Sequence, residues 1–150
     1  MDADLLTTYV EGAFEQMLSV AERVGPRLND RPVDQATNAV GALVVHCTEL
    51  CEFWLGHVVL GRPSLRDRDA EFGAEVDLDE LRRRVDRATS RAAADLAVIA
   101  DGGGGNPSEL RQLALGDGSD DAVVLYVLKE LHQHLGHMEL TADVLRGGRG

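Results

Sequence analysis

Apolar residues recur at helical spacing along four stretches of this chain, separated by glycine, proline and charge. In the first, residues 3 to 25, Leu6, Tyr9, Val10, Phe14, Met17, Ala21 and Val24 fall on one face, and Gly25-Pro26 stops the pattern. The second, residues 38 to 60, is the most hydrophobic; it reads VGALVVHCTELCEFWLGHVVL and ends at Gly61, with Pro63 beyond. The third opens near Leu78, where Asp77 is placed to cap it and Glu80 completes a capping-box pair. Its stripe is Leu81, Val85, Ala88, Ala92, Leu96 and Ile99, and it halts before the glycine run at 102 to 105. The fourth starts behind Ser119-Asp120-Asp121, acids that suit a helix N-terminus, and runs to about residue 146. VVHC and VVLYV have strand character, but each lies inside a longer helical pattern.

Four helices of 20 to 25 residues predict an all-α four-helix bundle about 30 Å long, in one domain over residues 1 to 146. The tail GGRG, 147 to 150, is expected to be disordered. The connection 26–37 is short, whereas 61–77 and 101–119 are long. Seventeen extended residues reach about 55 Å, so a linker of that length can run back along the bundle as a crossover.

Composition narrows the function classes. With 15 basic and 26 acidic residues the net charge is −11, which argues against nucleic acid and anionic membrane surfaces as partners. The N-terminus, MDADLLTT, lacks the basic region of a secretory signal, and no apolar run is expected to reach the roughly 18 residues of a membrane span. The expected location is the cytoplasm. Cys47 and Cys51, at i, i+4 inside a helical pattern, read as buried, reduced and inert thiols.

The chemistry concentrates in two places. ELHQHLGH, 130 to 137, puts Glu130 and His134 one turn apart on one face, while His132 points away. In ALVVHCTEL, His46 shares a stripe with Leu43, Leu50 and Phe53 and so points into the bundle. His46 lies about 12 Å along its helix and the other two lie near the middle of theirs, so the three can meet. Two histidines and a carboxylate form a facial set of metal ligands that leaves positions open for water or substrate. The plainer alternatives are a hydrogen-bonded core histidine and a surface Glu130–His134 pair beside Lys129. A buried Glu130 favours the ion, because an unpaired buried carboxylate is costly. His137, one turn beyond His134, is a candidate for a catalytic proton shuttle or a support for a ligand, and otherwise a polar residue near the pocket mouth.

Other features read more simply. His57 is too far along the helix to share the ion. Glu49, one turn from His46, is a fourth ligand or a solvated group, and Phe53 and Trp54 are core or pocket wall. Arg66 and Arg68, in LRDRDAEF, either receive carboxylates of an acidic cofactor or pair in solvent with Asp67, Asp69 and Glu71. The arginines at 82 to 84, with Arg87 and Arg91, read as the wet face of the third helix, and the glycine run is a linker.

ALVVHCTELCEFWLGH followed by ELHQHLGHMELTADVLRG resembles the DinB/YfiT-like metalloenzyme superfamily, and most of all the actinobacterial branch related to mycothiol-dependent maleylpyruvate isomerase and the mycothiol and bacillithiol S-transferases. The resemblance covers about residues 3 to 146. It implies an up-down-down-up bundle with the long crossover on 61–77, and one divalent transition metal on His46, Glu130 and His134. Zn or Ni is the expected ion, with Fe or Mn as alternatives. It further implies a small-molecule substrate, a low-molecular-weight thiol such as mycothiol, S-transfer or isomerisation as the reaction, and a homodimer. A non-catalytic bundle that binds a metal or small ligand, or serves as an interaction module, is the alternative.

Overall fold

A computed structural model describes residues 1–33 and 37–147. Asp2 accepts a hydrogen bond from the Leu5 amide and opens α1, Ala3–Val24, which ends at Gly25 in a positive-φ conformation (φ 52°). A 3-10 turn over Gly25–Arg27 follows. The α2 helix, Val40–Cys51, runs on without a break into a π-helical segment, Glu52–Val59. Asp67 caps a short α3, Arg68–Phe72. Asp77 accepts from the Glu80 amide at 2.8 Å and opens α4, Leu78–Ala100, as the sequence predicts. After a 3-10 turn at Glu109–Leu113 comes α5, Asp120–Gly147.

The fold is all-helical, and no strand occurs among the described residues. Among the described residues there are five α-helices where the periodicity predicts four, because the 61–77 connection folds a turn and a half of its own. That helix is too short for an apolar period to announce it. Helix α1 lies along α4 and α5, and α2 touches each of those three as well as α3. Their facing stripes close one continuous core around Phe14, Met17, Leu43, Leu81, Leu96, Leu131 and Met138. Tyr9 departs from its predicted stripe and stands 56 % exposed, since the inward face of α1 runs through Ala13 and Val20 instead.

Val40–Val59 corrects a second expectation. By length and mean hydropathy it is apolar enough to cross a membrane, although Glu49 and Glu52 interrupt it. In the fold 78 % of that window is buried inside the protein, so packing against four helices accounts for its apolarity. The predicted disordered tail falls largely on residues 148–150, outside the described residues; Gly147 closes α5.

Arg62 packs closely against the π-helical segment. Gly56 has no side chain, and a Cβ there would run into the Arg62 guanidinium. Arg62 occupies that space and bonds Glu52 (2.8 and 2.9 Å) and the buried Asp95 of α4 (2.7 and 3.2 Å). Asn106 donates to the Val58 carbonyl at 3.1 Å from the far connection. The widened turn, a feature often found near functional sites, places the successive residues Phe53 and Trp54 in one cavity wall.

Candidate functional site

Helix α2 delivers His46 to the centre of the fold, 2 % exposed, and α5 delivers Glu130 and His134 opposite it. The Nε2 atoms of His46 and His134 stand 3.2 Å apart, and His134 Nε2 is 3.5 Å from Glu130 Oε2. The three residues that the spacing pairs are therefore neighbours. Among the described residues, however, no group of three or more His, Cys, Asp or Glu side chains is placed to hold a metal ion. As they stand, the two imidazoles form a hydrogen-bonded pair. His134 Nδ1 is buried with no partner among the described residues.

The spacing did not reveal Glu71. It sits in α3 and is 4 % exposed, not the solvated partner expected of it. Its Oε1 is 2.8 Å from His46 Nδ1. Arg66 grips the same carboxylate with two donors, Nε to Oε2 at 2.7 Å and Nη2 to Oε1 at 3.0 Å. A carboxylate held by a guanidinium is ionised and can only accept, so His46 Nδ1 carries the proton and its Nε2 presents a lone pair toward His134 and Glu130. Phe72, the next residue, stacks on the His46 ring with centroids 4.7 Å apart. One short capped helix thus supplies both the orienting carboxylate and the stacking face. Its only sequence signal is Asp67, three residues before the amide it caps.

Electrostatics keep both rings neutral. Burial pulls His46 below the ordinary histidine range, and the hydrogen bond and charge of Glu71 offset this only in part. Burial first, then the neighbouring His46, pushes His134 down to about 4. Neutral imidazole is the form that binds a metal ion. Burial also raises the Tyr126 hydroxyl, helped by the Glu130 carboxylate, so the phenol is protonated and can donate.

No family model, curated protein or solved structure gives a significant match to this chain. The site rests on its own geometry. Above the two histidines and Glu130 opens a cavity of about 430 Å³, within the usual range for small-molecule sites. Its walls are Leu50, Phe53, Trp54, Leu110, Leu113 and Tyr126, and Arg66 and Arg68 stand in it as cations. Trp54 meets Tyr126 edge-on at 4.8 Å between centroids. A somewhat larger cleft, about 490 Å³, lies behind Arg66 and Glu71 and contains neither histidine.

The remaining candidates fall outside this cavity. His137 is exposed and lines a separate hollow with Thr37 and Thr141, so it does not join His46 and His134. The rise along α5 carries it past the cavity although it shares the Glu130 stripe. His132 stands exposed beside Tyr9, and His57 bonds the Arg62 carbonyl at 2.7 Å. Glu49 faces Arg84 at 4.0 Å. Cys47 and Cys51 are buried, unpaired thiols; burial raises Cys47 well above its usual value and Cys51 to about 12. Such thiols are poor nucleophiles at neutral pH.

Proposed function

We propose that His46, Glu130 and His134 hold one divalent transition-metal ion, and that the cavity above them is the site of a metal-dependent reaction on a small molecule. The reading is that of a DinB/YfiT-like enzyme with an up-down-down-up arrangement of its four long helices, working as a cytoplasmic homodimer. The observation that carries it is that His134 stands beside both His46 and Glu130, donors of the right kind. Ligands about 2.1 Å from a shared ion, in octahedral or tetrahedral geometry, lie about 3.0 to 3.4 Å from one another. The separations here are 3.2 and 3.5 Å. Zn or Ni suits two imidazoles and a carboxylate, and Fe or Mn would also be accepted.

The chain's own groups have definite parts in this reading. Glu71 fixes the His46 tautomer and ring orientation, and Arg66 fixes Glu71. Phe53, Trp54 and Tyr126 give the cavity an aromatic wall, and the Tyr126 hydroxyl can donate to a bound group. When bound, such an ion supplies a Lewis acid that lowers the pKa of a coordinated thiol or water. The resemblance to the DinB/YfiT-like superfamily adds a low-molecular-weight thiol as co-substrate, in S-transfer or isomerisation. Neither cysteine competes for the role, since both thiols are buried and protonated.

One observation favours a second reading, a bundle that holds no metal and in which the histidines only fill hydrogen bonds. The two histidines already satisfy each other through Nε2. Elemental analysis separates the two. Tag-free protein, purified without chelators, incubated with Zn²⁺ or Ni²⁺ and desalted, should retain about one equivalent per chain. His46→Ala and His134→Ala should retain close to none, and Cys51→Ser should match the parent. A parent that takes up no metal would leave the second reading in place.

A further inference from the structure

The connection after α2 brings two arginines to the cavity, and their circumstances differ. Arg66 is engaged: two of its nitrogens bond Glu71, and its Cζ lies over the Phe53 ring, 5.2 Å from the centroid. Arg68 is exposed at the start of α3. Among the described residues no hydrogen bond or ion pair holds its guanidinium. It nonetheless stands in the wall of the cavity that contains His46, Glu130 and His134, and its charge acts on both histidines and on Tyr126. The adjacent acids do not neutralise it. Asp67 caps α3 by accepting from the Ala70 amide, and no ion pair forms with Asp69.

The charges in the cavity therefore sort themselves. Glu71 and Arg66 cancel as a buried pair. Glu130, half-buried, faces His134 on one side and on the other pairs at 3.4 Å with Lys129, which lies outside the cavity lining. Arg68 is left as a cation opposite a wall of aromatic and aliphatic groups. A free guanidinium beside an apolar slot suits a carboxylate attached to a flat apolar body, since the fork of the guanidinium matches a carboxylate and the body removes aromatic surface from water.

We propose that this cavity takes a small organic anion, with its carboxylate on Arg68, its apolar body between Phe53, Trp54 and Tyr126, and its reacting end toward His46, Glu130 and His134. The assignment rests on reading the cavity as the substrate site. It names a substrate class and makes Arg68 the residue that selects for charge.

Trp54 is the only tryptophan in the chain and stands in the cavity wall, so its fluorescence reports occupancy directly. The probes are 3-phenylpropionate and its neutral isostere 3-phenylpropanamide, titrated at pH 8 into parent, Arg68→Gln and Arg68→Lys. Each titration is run on Zn²⁺-incubated and on chelator-treated, dialysed protein, with Zn content measured in every sample. Arg68→Gln should weaken the carboxylate by about tenfold and change the amide by less than about twofold, as expected for loss of one charge-assisted contact. Arg68→Lys should recover part of the loss, and the dependence should be present in both preparations. Equal effects on the two probes, no effect on either, or no quenching by either in the parent would overturn the proposal. Zn uptake without Arg68 dependence sinks the anion assignment and spares the metal site. Arg68 dependence in protein that takes up no Zn does the reverse.

Discussion

His46 has one ring nitrogen available to its neighbours because the other is held by Glu71 at 2.8 Å, and Glu71 is in turn held by Arg66. Glu71 and Arg66 are 4 % and 12 % exposed, so the pair is sheltered from solvent and from salt. Replacing Glu71 by Gln keeps the shape and removes the charge, leaving a buried guanidinium without its counter-ion. Stability to urea should fall by about 3 kcal/mol. Zn²⁺ affinity, read by competition with a chelating dye, should fall about 10- to 100-fold as the ring loses its orienting partner. A variant that loses stability yet binds Zn²⁺ as tightly as the parent would make Glu71 a structural residue only. The same carboxylate shows a limit of residue-level reading. In LRDRDAEF it looks like one charge among several, and its burial comes only from α3 folding over His46.

At the scale of the element, the π-helical segment Glu52–Val59 and Arg62 form one unit. Arg62 joins Glu52 to Asp95, and that acid is 4 % exposed. The two carboxylates raise the Arg62 guanidinium further, so it stays charged at any working pH. Arg62→Ala should cost about 2 to 4 kcal/mol, because Asp95 is left buried and unpaired. Gly56→Ala should cost about as much by driving the guanidinium off both acids. The two changes should be far from additive, since removing the Arg62 side chain removes the clash. A double variant as unstable as the sum of the singles would mean that Gly56 and Arg62 act independently. Trp54 emission in either single variant should shift, as the cavity wall loses its support.

For the whole molecule, the neutral histidines make stability depend on pH. Both rings lie below the ordinary histidine value in the folded chain, His134 at about 4. Between roughly pH 6.5 and pH 4 the unfolded chain binds protons that the folded chain refuses, so stability falls as pH falls through that window. Above it both states are neutral and the effect vanishes. Metal-free protein should therefore lose stability between pH 7.5 and pH 5, and His134→Gln should lose about 2 kcal/mol less over the same interval. Equal losses in the two would mean that His134 titrates normally in the fold. Urea midpoints at the two pH values decide it.

Much of this protein follows from periodicity alone. The four long helices, the Asp77 cap, the core stripe of α4 and the placing of His46, Glu130 and His134 near one another need only the 3.6-residue repeat, because side chains on one face must meet whatever that face packs against. The tertiary structure decides what periodicity cannot carry. A five-residue α3 is too short to show a period, so the burial of Glu71, the grip of Arg66 and the stacking of Phe72 appear only once the 61–77 connection lies across α2. Arg62 entering the space beside Gly56 is likewise a contact between residues that no helical repeat links. His137 shares a stripe with Glu130 yet lies outside the cavity, because phase around a helix says which way a side chain points and nothing about how far along the axis its partners extend.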